Sequence, residues 1–210
     1  MALTDLQIKY ANEIGLPLDL LLRRLASQPM ALDANTNVLL HSFVGLLLAM
    51  NHWPERHLEP MDIPDLIRDA ANSIKHIREK GRTIEREFAT MFEHRSGTFR
   101  FVRNTIIGID AKTHEKGDLI IAVTDFANSL ARHSALMVRP QQLYESVYGF
   151  FDWAFAINDP KVAVSTSSTR VLFFEKVGDQ YEPRDITEVR YVVFGPDLTG
   201  IDPSFGFPAG

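Results

Sequence analysis

The sequence predicts a mainly α fold: an antiparallel helical bundle with a small antiparallel β appendage at its C-terminal end. Three observations predict it. Apolar residues recur at helical spacing through residues 5–27 and 62–93. Residues 38–50 are apolar almost all round, as suits a helix central to a core. Beyond residue 160 the composition turns β-branched and aromatic. The expected division is a helical bundle over residues 1–158 and a β-hairpin appendage with an extended tail over residues 159–210.

Taken in order, Thr4 or Asp5 can cap a first helix that runs to Ile14 with Leu6, Tyr10 and Ile14 on one face, and Gly15 stops it. Pro17 suits the first turn of a second helix, whose stripe is Leu18, Leu21, Leu22 and Leu25. Asn35 or Thr36 can cap the third, which Trp53-Pro54 ends. Gly45 in its middle implies close approach of a neighbouring helix, and His41 is expected to be a core histidine bonded to a backbone carbonyl. Residues 62–93 read as one long amphipathic helix, with Ile67, Ala71, Ile74, Ile77, Ile84, Phe88 and Met91 on its apolar face. Residues 98–107 alternate like a strand at Phe99-Arg100-Phe101, yet Phe99, Val102 and Ile106 also fit a helical face. A polar loop follows, then a short strand over residues 118–123 and a last helix over residues 140–156. Residues 169–177 and 186–194 are expected to pair as an antiparallel hairpin, turned at Gly178-Asp179.

Composition narrows the function classes. The net charge of −5 argues against a surface devoted to a nucleic-acid backbone, while leaving room for a local basic stripe. Without cysteine the chain has no disulfide, no thiolate nucleophile and no Cys-ligated zinc, which fits a reducing, cytoplasmic setting. The longest apolar block is too short for the ~20 residues a membrane span requires, and the N-terminus has neither a basic nor a continuous apolar signal region. No nucleophile triad, phosphate loop or dinucleotide fingerprint occurs. His52 and His57 are off a common helical face, so no metal site is expected, and no cofactor either. Lys75, Arg78, Arg82 and Arg86 step by three, four and four on the predicted long helix. They form a stripe that reads as a solvated face or, more sharply, as a nucleic-acid-binding edge.

Two stretches together resemble the HEPN superfamily. Residues 43–55 (FVGLLLAMNHWPE) are similar to the apolar helix and following turn of several prokaryotic members. Phe101-Val-Arg-Asn-Thr-Ile-Ile-Gly is similar to the family's Arg-Asn-x-x-x-His motif, which opens a late helix. The resemblance covers about residues 30–157. It implies a dimerising helical bundle and, in many members, metal-independent ribonuclease chemistry. Arg103 would then hold phosphate, Asn104 would orient the site, and a histidine would move protons. Gly108 stands at the histidine position and cannot do acid–base work; His114, beyond a loop, is the nearest candidate for it. The resulting expectation is a non-catalytic HEPN-like binding or assembly protein in a prokaryotic defence or toxin–antitoxin setting, with a homodimer or partner protein and RNA as candidate partners and no membrane. The alternatives are a HEPN-type ribonuclease and a structural subunit of a phage or secretion assembly.

Overall fold

The computed structural model describes residues 4–27, 36–57, 61–75, 83–95, 98–133, 140–147, 149, 170–178 and 180–183. Helices and a curled five-stranded mixed sheet share one core, so the mainly α bundle with a small β appendage is corrected to an α/β architecture. The helices are α1 (Asp5–Tyr10), α2 (Leu16–Ser27), α3 (Thr36–His57), α4 (Asp65–Lys75) and α5 (Leu119–His133). The strands are β1 (Ile84–Arg95), β2 (Thr98–Asp110), β3 (Lys116–Asp118), β4 (Arg170–Val177) and β5 (Gln180–Pro183), in the order β3-β2-β1-β4-β5. All neighbours are antiparallel except β1 and β4, which run parallel. Strands β4 and β5 thus extend the main sheet beyond β1, with β5 at its edge.

The N-terminal helices form as local rules dictate. Thr4 caps α1 in a capping box with Gln7: the Thr4 hydroxyl accepts from the Gln7 amide, and the Gln7 side chain accepts from the Thr4 amide. Gly15, expected to stop the first helix, lies inside a π-helical turn, Ala11–Gly15, that leads directly into α2. Pro17 supplies a reason. In a regular α-helix its ring would crowd the Glu13 carbonyl, and a widened turn relieves this. Helix α3 runs past Trp53-Pro54 to His57, although Pro54 has no N–H to donate to the Met50 carbonyl one turn back. Gly45 and His41 both lie on the exposed side of α3, and a Cβ on Gly45 would meet nothing within 4 Å, so neither plays the packing role expected of it.

The main correction falls on residues 62–93. Helix α4 ends at Lys75, and β1 occupies Ile84–Arg95. Ile84 and Phe88 are four apart, which puts them on one face of a helix and equally on one face of a strand; periodicity alone does not separate the two. Residues 98–107 resolve as β2, paired with β1 through residues 84–95 with a register shift between Met91 and Phe92. The stretch 118–123 is the start of α5, not a strand. Asp118 Oδ1 accepts from the backbone amides of Ile120 (2.9 Å) and Ile121 (3.1 Å), and Leu119, Ile120, Val123, Phe126, Ala127, Leu130 and Ala131 are buried at helical spacing. Residues 140–147, expected to open a helix, have no regular secondary structure, and the Ser146 amide donates to the Val102 carbonyl of β2 at 2.7 Å. The C-terminal hairpin does turn at Gly178, whose φ is +62°, but β4 returns through β5. The strand expected over residues 186–194 lies outside the described residues.

One apolar core joins Tyr10, Ile14, Leu18, Leu21, Leu22 and Leu25 to Phe43, Leu47 and Met50 of α3, Ile67 of α4, the α5 stripe, and Ile84, Phe88 and Ile106 of the sheet. Phe92 and Phe101, with ring centroids 5.9 Å apart, extend the buried region past the register shift. No helix among the described residues is long and apolar enough to cross a membrane.

Candidate functional site

Arg103 and Asn104 are neighbours on β2 and therefore face opposite sides of the sheet. Each is bound internally. Arg103, 6% exposed, donates from Nη2 to Asp118 Oδ2 at 2.8 Å, and Nη1 reaches the Asn104 carbonyl at 3.4 Å. The Thr105 hydroxyl donates to Asp118 Oδ1 at 2.7 Å, so one carboxylate caps α5 and holds Arg103 and Thr105. Asn104, fully buried, donates to the Leu25 carbonyl at 2.9 Å and accepts from the Thr90 hydroxyl at 2.8 Å, which fastens the end of α2 to the sheet. His114 is exposed in the turn after β2, with φ +59° and its amide donating to the Asp110 carbonyl. Seven residues of extended chain separate Arg103 from Asp110, roughly 20 Å. The three candidate catalytic residues do not converge.

Gly108 is a packed position. A Cβ there would meet Ile84 Cγ2 at 3.0 Å and Leu119 Cγ at 3.1 Å, so β2 has no room for the motif histidine. Of the basic stripe, Lys75 is on the last turn of α4 and Arg86 is on β1, so they share no helix face; Arg78 and Arg82 lie outside the described residues. Lys75 Nζ hydrogen-bonds His52 Nε2, and His52 Nδ1 in turn faces Glu55 Oε2 at 3.2 Å. No group of three or more potential metal ligands occurs among the described residues.

Two other constellations were not foreseen. Arg100 and Glu93 are direct cross-strand partners, with Nε and Nη2 of Arg100 at 3.0 and 2.7 Å from Glu93 Oε2. Arg100 Nη2 also donates to Glu145 Oε2 (2.9 Å) and to the Tyr181 hydroxyl (2.8 Å), and that hydroxyl donates to Glu145 Oε1 (2.7 Å). Burial works against the Arg100 charge, but the bonds to Glu93 and Glu145 outweigh it and hold the guanidinium above its ordinary pKa. Burial, then the Glu145 bond, raises the Tyr181 hydroxyl. Lys176 Nζ lies 3.7 Å from Glu145 Oε1 at its margin, and the cluster joins four separate chain segments.

The second constellation is open. A cleft of about 290 Å³ lies between the α1–α2 rod and residues 140–144, lined by Tyr10, Gly15, Leu16, Arg23, Gln141 and Tyr144 among others. Its walls are fixed. The Asn128 amide donates to the Gln141 carbonyl and accepts from the Gln141 amide, as a neighbouring strand would. The Tyr144 hydroxyl donates to Asp19 at 2.6 Å and accepts from Arg23 at 2.9 Å, and the Arg23 guanidinium lies 4.6 Å from the centre of the Tyr144 ring. The Tyr10 hydroxyl donates to the Ala127 carbonyl, and burial pushes its pKa up to about 12. Leu16 and Leu20, one turn apart, are 57% and 60% exposed at and beside the mouth. Leu16 and Leu20 lie outside the stripe of Leu18, Leu21, Leu22 and Leu25, and nothing local in the sequence marks Tyr144 as a neighbour of this helix.

What fold and site define is an α/β scaffold with a pre-formed cleft beside an exposed apolar helix face. Compared with family models, with curated proteins and with solved structures, the chain finds no match in any of the three.

Proposed function

We propose that the chain is a non-catalytic assembly protein that binds a second copy of itself through the outer face of the α1–α2 rod. The observation that carries this reading is the pair Leu16 and Leu20, exposed side by side at a cleft whose polar rim is already satisfied. An apolar pair around a fixed concavity is how interface centres are built: the pocket receives an anchor side chain and the surrounding apolar contacts exclude water. A two-fold contact lets one such face serve both copies. The internal ties of Arg103 and Asn104 also support it. A phosphate on Arg103 would have to displace Asp118 from a bond that also orders the start of α5. The prokaryotic defence or toxin–antitoxin setting remains part of the proposal as the context in which such a subunit would act.

The test is sedimentation equilibrium across a range of concentrations. Wild type is expected to dimerise, and Leu16→Glu/Leu20→Glu to stay monomeric with an unchanged circular dichroism spectrum. A wild type that stays monomeric at high concentration, or a double variant that dimerises equally well, overturns the proposal. Incubation with labelled single-stranded RNA, with and without EDTA, checks the other side: cleavage lost in Arg103→Met would replace assembly with nuclease chemistry.

A further inference from the structure

Three arginines of the β1–β2 hairpin reach into the fold, and two of them have an acid at hand. Arg100 meets Glu93 at 2.7 Å and Arg103 meets Asp118 at 2.8 Å. Arg86 is the third. It sits on β1 directly opposite Gly108, between Ile84 and Phe88 on the face that packs against the helices. Its Nη1 is buried without any hydrogen-bond partner, while the residue as a whole is only half-buried. The guanidinium therefore enters the apolar layer along one edge and reaches solvent along the other.

The neighbouring acids do not serve it. Glu85 and Glu87 point to the other face of the strand by alternation. Asp110 shares the Arg86 face; its Oδ1 accepts from the amides of Lys112 and Thr113, and it makes no hydrogen bond to Arg86 Nη1. Gly108 brings no side chain across from Arg86, and a Cβ at that position would press on Ile84 and Leu119. The hairpin thus keeps a cation in a half-apolar setting with nothing among the described residues to balance it, and burial lowers its pKa from the ordinary value. An uncompensated buried charge is among the costlier features a fold can retain.

We infer that Arg86 is a receptor for a carboxylate group, bound in two-point fashion along the solvent-facing edge of the guanidinium. The planar fork of arginine matches a carboxylate in geometry. One guanidinium balances one negative charge, which favours a monoanion over a phosphate dianion. The apolar neighbours Ile84 and Phe88 lower the local dielectric and strengthen the pair relative to the same contact in water. This inference is independent of the assembly face on α2.

The probe is sodium acetate, titrated against sodium chloride and sodium phosphate at constant ionic strength, with thermal unfolding as one readout and the 15N–1H signal of the arginine Nε groups as the other. Wild type is expected to show a saturable rise in Tm with acetate and none with chloride, and one Nε signal should move with the same midpoint. Arg86→Met is expected to be at least as stable as wild type without acetate and to lose both responses. Arg86→Lys, which keeps the charge without the fork, is expected to fold and to weaken the acetate midpoint at least tenfold. An acetate response that survives in Arg86→Met overturns the inference. So does the absence of any acetate response in wild type. A response to phosphate alone overturns the carboxylate assignment.

Discussion

If Arg103 is held for structure, then removing it should rescue a protein damaged at Asp118. The perturbation is Asp118→Asn. Oδ1 of Asp118 already carries three donors: the Ile120 and Ile121 amides and the Thr105 hydroxyl. An asparagine must keep its carbonyl oxygen on that side to preserve the cap, which turns its NH₂ group toward Arg103 Nη2, where Oδ2 accepted at 2.8 Å. Donor then meets donor, and a cation that is 6% exposed loses its counter-charge. Breaking a buried pair from one side costs about 3–5 kcal/mol. The cap itself changes little, since Asn and Asp cap about equally well.

Arg103→Met alone should cost less, about 1.5–3 kcal/mol, the range for a charge-assisted hydrogen bond, because Asp118 keeps three donors. The informative species is the double variant. With methionine at 103 there is no cation to strand, so Arg103→Met/Asp118→Asn should be more stable than Asp118→Asn alone. Urea unfolding of the four species gives the cycle, with a coupling that exceeds the cost of Arg103→Met itself, so at least about 1.5 kcal/mol. Additivity within about 0.5 kcal/mol, or a double variant less stable than Asp118→Asn, would refute the internal role of Arg103 and return it to the candidates for ligand contact.

Gly108→His restores the Arg-Asn-x-x-x-His spacing, but the imidazole has to displace Ile84 and Leu119. The expected outcome is a loss of at least 1–3 kcal/mol from overpacking and no gain of RNA cleavage; a stable, active variant would contradict the packing account. Asn104→Ala leaves the Leu25 carbonyl without its donor and the Thr90 hydroxyl without its acceptor. It should cost about 2–6 kcal/mol in urea, from two stranded polar groups at 1–3 kcal/mol each. Glu145 answers to pH. Burial raises its pKa, but the bonds from Tyr181 and Arg100, with the Arg100 and Lys176 charges, bring it below the ordinary carboxylate value. Its contribution to stability is therefore complete above the ordinary carboxylate pKa and is lost as pH falls through the lowered one. Its side chain is 39% exposed, so the effect is modest. Glu145→Gln should flatten the acid limb of the urea midpoint against pH; parallel limbs in the two proteins would disprove the role.

What could be read from the sequence was local. The Thr4 cap, the stripe of Leu18, Leu21, Leu22 and Leu25, and the central place of α3 depend on residues within a few positions of each other, and they fold as expected. The misreadings share one cause. Over a stretch of about five or six residues, apolar positions do not mark a single period. Ile84 and Phe88 satisfied a helix as well as a strand, and Leu119-Ile-Ile-Ala-Val looked like a strand until Asp118 is seen to cap it. The polar sites were hidden more deeply. Arg100 and Glu93 face each other only because β2 pairs with β1 in one register, and Glu145 and Tyr181 arrive from 45 and 81 positions away.

Those same pairs give a reason for charge inside the sheet. Buried ion pairs rarely add stability over an apolar replacement, so their retention calls for another explanation, and register is the one the geometry offers. A slip of β2 by one residue against β1 would turn every β2 side chain to the opposite face. Arg103 would then point into the layer of leucines where Asn104 now meets Leu25, and Asn104 would face Asp118. The apolar residues alone penalise such a slip weakly, because Val102 and Phe101, on opposite faces, are both buried and either could fill the other's place in part. The charged residues penalise it strongly, since each would strand a cation. The paired arginines of β2 thus select one alignment of a strand that its hydrophobic pattern leaves ambiguous, which is the ambiguity that made the stretch hard to assign from sequence.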